Sequence, residues 1–185
     1  MNPPNTSREE IMRVSRKIVS EKGLPALNMR TLAKECGIAL GTLYNYYSDK
    51  DELVVAAIES VWQDILEKSA PDSGVRFSQF VTQTYAHIIE KLKDYPDFLA
   101  AHSISVAGSA KGKARGMMER CFGKIRSELH AALREDKNVD RSIFSETFRE
   151  EDLIEHILDT ITISIINGKP DCATLMEILD RLLYR

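Results

Sequence analysis

The sequence predicts an all-α chain, and three observations carry that reading. Apolar residues recur at three- and four-residue spacing along most of the length. No alternating Val/Ile/Thr run of strand type occurs. The nine glycines and six prolines fall mostly between the periodic stretches. With 185 residues the chain is long enough to bury a sizeable core without disulfide or metal. Hydrophobic residues make up 43% and charged residues 29%, which excludes wholesale disorder.

Each element has its own signals. Ile11, Val14, Ile18 and Val19 lie at helical spacing; Ser7, Glu9 and Glu10 suit the start of that helix, and Gly23 with Pro25 closes it. Asn28 caps a short helix to about Cys36, Gly37 breaks the chain, and another short helix runs from about Leu40 to Tyr46. Ser48 or Asp49 caps a longer helix whose face is Leu53, Ala57, Ile58, Val61, Trp62, Ile65 and Leu66. After the break at Ser69 to Gly74, helices are predicted at about 76–93, 97–107, 115–135, 150–167 and 171–184. Their stops are the Asp94-Tyr-Pro96 turn, the Gly108 to Gly116 stretch, the polar 136–149 region and Asn167-Gly-Lys-Pro170.

Charge divides unevenly. Residues 1–50 carry a net +3 and residues 51–185 a net −6, within an overall −3. A slightly basic head on an acidic body fits a small nucleic-acid-binding module, residues 1–50, on a larger domain, residues 51–185. No run of 18 apolar residues exists, and the first ten residues lack the apolar core of a signal peptide, so no membrane partner and a cytoplasmic location are expected. Cys36, Cys121 and Cys172 are odd in number and far apart, which reads as free thiols rather than a disulfide framework or a zinc module. His87, His102, His130 and His156 have no i, i+4 pairing, so no metal site is read. Gly108-Ser-Ala-Lys-Gly-Lys113 has three residues between its glycines and Ala114 after the lysine, so it is not a phosphate loop. The basic run Lys111, Lys113, Arg115, Arg120, Lys124 and Arg126 reads first as a solvated face. No nucleophile, base and orienter recur at a recognisable spacing; we expect neither an enzyme nor a cofactor, and assign no catalytic residue.

Residues 29–48 have the spacing of a helix-turn-helix. With Met29 as the first position, the fifth is Ala33, the ninth Gly37 and the fifteenth Leu43. Two steeply crossing short helices need a small side chain where their backbones approach, which Ala33 supplies. The tight turn needs a positive φ, which glycine adopts at least cost. Leu32, Ile38 and Leu43 then plug the angle between the helices.

The stretch Gly41-Thr-Leu-Tyr-Asn-Tyr-Tyr-Ser-Asp-Lys-Asp-Glu-Leu53, with Leu27-Asn-Met-Arg-Thr-Leu-Ala33 and Cys36-Gly-Ile-Ala39 before it, resembles the TetR family of transcriptional repressors over about residues 8–66. The resemblance implies an N-terminal three-helix DNA-binding domain joined to a larger helical ligand-binding and dimerisation domain. It also implies roles at matching positions. Gly41 lets the recognition helix approach the DNA backbone, and Thr42 and Asn45 meet base edges in the major groove. Tyr44 and Tyr46 reach phosphates or thymine methyls. Lys50, Arg30 and Thr31 hold phosphates at helix starts. Tyr47 stands where the family usually has phenylalanine and reads as core. Leu40 stands where many members are polar or basic, and the arm before Arg8 has little charge; both predict modest, less salt-dependent affinity.

In the body, Leu153, Ile157, Ile161 and Ile165 make one stripe of a terminal helical hairpin, and Leu175, Leu179 and Leu182 lie on its second helix. Thr160 and Ser164 are small enough for a partner helix to approach. Such wide apolar stripes suit both a core and a second surface, which predicts a homodimer built as a four-helix bundle. The resemblance further implies a ligand cavity in the middle helices, for which Trp62, Tyr85, His102, Met118 and Phe122 are the candidates, with a largely apolar small molecule as effector. The reading is therefore a homodimeric repressor released from a palindromic, double-stranded operator by that molecule. The alternative is a helical ligand-binding or protein-adaptor bundle with little DNA affinity.

Overall fold

The computed structural model describes residues 6–67, 74–100 and 111–184, apart from the side chains of 111–115 and 118. Among these residues the regular elements are helical, beside one isolated antiparallel bridge between Ser145 and Phe148. The all-α prediction holds.

The helices begin where capping chemistry begins them. In α1 (Arg8–Lys22) the Ser7 hydroxyl accepts the Glu10 N–H at 3.1 Å, and Glu9 and Glu10 occupy the positive end of the helix. In α2 (Met29–Glu35) the Asn28 side chain accepts the Thr31 N–H at 3.0 Å. α3 is Leu40–Tyr44. It stops two residues earlier than the sequence predicts, because Asn45 and Tyr46 donate to Thr42 and Leu43 in tighter i→i+3 bonds. At the start of α4 (Lys50–Ile65), Asp49 accepts the Glu52 N–H at 2.7 Å while Glu52 accepts the Ser48 N–H at 2.9 Å. That reciprocity satisfies two exposed donors at once.

The later helices are α5 (Phe77–Leu92), α6 (Lys111–Glu135), α7 (Glu150–Ile166) and α8 (Ala173–Leu183). α6 begins four residues before its predicted start, so Gly112 and Gly116 lie inside it. Isolated helical glycines cost about 1 kcal/mol each against alanine and do not by themselves end a helix. A helical turn opens at Phe98; the rest of the helix predicted at 97–107 lies outside the described residues. No described helix is long and apolar enough to cross a membrane.

Two compact units result, Met1–Ile65 with Leu92–Cys121, and Leu66–Lys91 with Phe122–Arg185. In the first, Ile11, Ile18, Val19, Leu27, Leu32, Leu43, Tyr47 and Leu53 form a closed core around α1 to α4. In the second, Phe77, Phe80, Leu129, Leu133, Ile154, Ile157 and Leu179 are buried. A polar knot fixes its end. Asp136, 6% exposed, accepts the Phe77 N–H at 2.8 Å and the Tyr184 hydroxyl at 2.6 Å, and Ser78 donates to Asp180 at 2.6 Å. The described part of the basic run is tied into ion pairs and caps. Arg120 forks onto Glu59, Arg126 pairs with Glu155, and Lys124 donates to the Leu66 carbonyl.

Candidate nucleic-acid interface

The head positions a small exposed face on a rigid support. α2 ends in a left-handed turn at Gly37, φ 66°. There Ile38 N–H donates to the Ala33 carbonyl and Gly37 N–H to the Lys34 carbonyl. These paired bonds are the Schellman closure, which glycine favours because a Cβ would be strained at that φ. The turn sets the angle at which α3 leaves, and Leu32, Ala33 and Leu43, all at most 4% exposed, fill it. The residues behind the spacing argument thus lie where that argument needs them.

The opposite side of α3 is open. Gly41 and Asn45 are exposed, Thr42 is half-buried and Tyr44 is 49% exposed. A Cβ placed on Gly41 would meet nothing within 4 Å, so its surroundings leave room for a backbone to approach. Lys50 is exposed at the first position of α4, at that helix's N-terminal end. Arg30 is exposed and Thr31 half-buried in the first turn of α2. Leu40 is half-buried.

Tyr46 differs from Tyr44. Its hydroxyl donates to the Thr6 carbonyl, and its own carbonyl accepts from Arg8 Nη2 at 2.8 Å. The Arg8 guanidinium also lies over the Tyr47 ring, 5.2 Å from its centroid. Tyr47 is 2% exposed, and burial pushes its hydroxyl pKa up. Sequence reasoning missed this clamp. Arg8 and Tyr46 stand 38 residues apart, and no local pattern marks the pair.

The ligand candidates are placed unevenly. Trp62, 9% exposed on α4, meets Phe98 edge-on with ring centroids 5.7 Å apart in the first unit. In the second unit Tyr85 is 1% exposed, and its hydroxyl donates to the Lys169 carbonyl at 2.7 Å, so its polar edge serves the hairpin turn. Phe122 is half-buried on α6. His102 and the Met118 side chain lie outside the described residues.

The dimer candidates divide by burial. Leu153, Ile157, Ile161, Ser164, Leu175 and Leu179 are at most 6% exposed within the single chain. Thr160 is half-buried and Leu182 is 36% exposed. Sequence reasoning passed over Ile163 and Ile166, which are 58% and 64% exposed; Ile178, part of the wide apolar surface read on the final helix, is 53% exposed. Ile163 and Ile166 follow Thr160 at helical spacing, a second stripe beside the one through Ile161.

Comparisons with known proteins agree with the geometry of the head. Residues 11–57 match the family described as bacterial regulatory proteins, tetR family. An HTH-type transcriptional regulator of Haemophilus influenzae is 32% identical over 95 residues, a match taking in 50% of this chain and 50% of that protein. The chain thus matches only about half the length of that relative. A tetR-type transcriptional regulator of Streptomyces avermitilis superposes with a TM-score of 0.64 at 17% identity, over 96% of this chain and 98% of that one. The Bacillus subtilis regulator FadR, solved in complex with stearoyl-CoA, gives 0.56 at 16% identity over 95% and 97%. At these identities the structural likeness is one of fold. Residues 11–57 thus match the helix-turn-helix domain of the tetR family of bacterial regulatory proteins, and the fold agrees with solved tetR-type regulators along nearly the whole chain.

Proposed function

We propose that the protein is a transcriptional repressor that binds a palindromic operator as a homodimer and leaves it when a small, largely apolar molecule binds. One observation carries the DNA reading: the exposed face of α3, with Gly41, Thr42, Tyr44 and Asn45 on one side and the buried Leu43 on the other. Thr42 and Asn45 serve as base readers. Gly41, Tyr44, Lys50, Arg30 and Thr31 serve the phosphates. Tyr46 reaches a phosphate only by giving up its bond to Thr6, so its first role is to hold the start of the chain beside α3.

The partner copy docks on the exposed aliphatic stripe. Ile163 and Ile166 on α7, with Ile178 and Leu182 on α8, are the large aliphatic side chains left exposed among the described residues. Covering the exposed half of each contributes about 1 kcal/mol. Thr160 borders the stripe and lets a helix approach. Leu153, Ile157, Ile161, Ser164, Leu175 and Leu179 support it from beneath. For the effector, FadR's complex with stearoyl-CoA in the same fold supports an apolar ligand, with Trp62, Tyr85, His102, Met118 and Phe122 as candidate contacts. Release works through geometry. Two heads must present their recognition helices roughly 34–36 Å apart to enter successive major grooves.

The test is a fluorescence-anisotropy titration of a labelled duplex from upstream of the protein's own gene against a shuffled duplex. We expect preference for the native duplex, two chains per site and affinity that falls with salt. Equal, weak binding of both duplexes by a folded protein would favour a ligand-binding or adaptor bundle instead.

A further inference from the structure

Two side chains of α1 point away from the head's core and reach the same short turn. Ser20 Oγ donates to the Asp94 carbonyl at 2.6 Å. One helical turn earlier, Arg16 Nη1 donates to Ser60 Oγ at 2.6 Å, and its Nε stands 3.9 Å from Asp64 Oδ1. The other oxygen of that carboxylate, Oδ2, accepts the Tyr95 hydroxyl at 2.8 Å. Asp64 therefore faces a cation of the head on one side and a hydroxyl of the 93–98 turn on the other. Ser60 and Tyr95 are 4% and 6% exposed while the Arg16 and Asp64 side chains keep 29% each, so these charge-assisted hydrogen bonds are part-buried.

Asp97 sits at φ 59° in the turn, a left-handed conformation that Asp and Asn adopt more readily than other non-glycine residues. The Tyr95 ring packs on Phe98 at 6.2 Å, and Phe98 meets Trp62 at 5.7 Å. The Asp64 carboxylate thus joins the Tyr95 ring to Arg16 of α1, beside the direct bond from Ser20 to the Asp94 carbonyl.

We propose that Asp64 is a positioning residue that sets the tilt of the DNA-binding head by tying Arg16 of α1 to Tyr95 of the turn. Moving the Tyr95 ring withdraws its proton from Asp64, frees the carboxylate to rotate and loosens Arg16. Where the protein acts as the repressor proposed above, such a shift is read at the operator. The inference depends on that reading only for its DNA arm.

Two conservative variants test it: Tyr95→Phe, which removes one oxygen, and Asp64→Asn, which keeps shape and removes charge. Spin labels at Lys34→Cys and Glu119→Cys, in a Cys36→Ser background, report the head's position within one chain by pulsed electron resonance. This measurement needs neither operator nor partner. We expect each variant to broaden the distance distribution and to lower affinity for the upstream duplex about tenfold, with Asp64→Glu recovering part of both. Unchanged distributions in folded Tyr95→Phe and Asp64→Asn proteins would overturn the proposal. So would broadened distributions with wild-type operator affinity, since the junction would then not govern binding. A wild-type chain that ignored the duplex would refute the repressor, and the distance measurement alone would still decide the junction.

Discussion

The face of α3 and the face of the α7–α8 hairpin are opposite solutions to exposure. α3 is one short turn and a half whose open side is small or polar, and whose one buried residue, Leu43, fixes it. The hairpin carries large aliphatic side chains on both sides, with Ile157 and Ile161 buried and Ile163 and Ile166 exposed among charged neighbours such as Glu155 and Asp159. A polar face on a rigid support suits a hydrated, charged partner. An aliphatic face suits a partner that excludes water. The chain thus separates its two proposed contacts by chemistry as well as by position.

The largest effects should come from exchanging these characters. Ile161→Glu buries an unpaired carboxylate where the side chain is 4% exposed, and should unfold the hairpin or cost more than about 4 kcal/mol. Ile163→Glu, two residues on and 58% exposed, should leave the monomer folded, with a melt lowered only by the loss of the partner, and yield monomer by light scattering. A folded, dimeric Ile163→Glu protein would place the partner surface elsewhere. On the polar face, Asn45→Ala or Thr42→Ala should cost about 1–3 kcal/mol of operator binding and relax preference at one position per half-site. Lys50→Ala should instead weaken every duplex alike and lower the salt slope by about one. Loss of sequence preference in Lys50→Ala would reverse those roles.

The same contrast explains what was legible in the sequence. The head's elements depend on neighbours within a few residues: the Ser7 and Asn28 caps, the Gly37 turn, and the Ala33 and Leu43 spacing. Local chemistry of this kind is written locally. In the hairpin, Ile161 and Ile163 are the same residue type two positions apart, and only the packing of other helices decides which is core. Composition offers no rule for that choice. The Arg8 clamp and the Asp136 knot join residues 38 and 48 apart, and they become visible only when the chain is folded.

A smaller effect sharpens the comparison, because both regions use one turn. Gly168 closes α7 as Gly37 closes α2, each at φ 66°, with Lys169 N–H donating to Ser164 and Gly168 N–H to Ile165. A Cβ at either glycine meets nothing within 4 Å, so alanine is opposed by conformation alone. Gly37→Ala and Gly168→Ala should each lose about 1–2 kcal/mol of stability in chemical denaturation. Only Gly37→Ala should also weaken the operator complex, since only that turn aims α3. Equal effects on DNA binding would mean that the turn angle is not what positions the recognition helix.

The smallest effect is a pH dependence confined to the second unit. Burial disfavours the charge of Asp136, but hydrogen bonds from Tyr184, Phe77 and Asn138 outweigh it and hold its pKa below the ordinary aspartate value of 3.8. A carboxylate whose pKa is depressed by folding contributes stability above the unfolded value. That contribution fades as pH falls from about 3.8 through the lower folded value. The other end of the same bond has the opposite sign. Burial, then Asp136 beside it, push the Tyr184 hydroxyl up to about 12 from an ordinary 10. Its contribution is complete below pH 10 and is lost as pH rises toward 12. Asp152, held near 2 by its bond to Arg149, titrates in the same acid range, so wild type alone does not isolate the knot. Comparing denaturant midpoints of wild type and Tyr184→Phe does. The variant should show a shallower loss on both limbs and coincide with wild type in slope between pH 5 and 9, where neither group titrates. A Tyr184→Phe protein that kept the full alkaline loss between pH 10 and 12 would assign that limb to another hydroxyl.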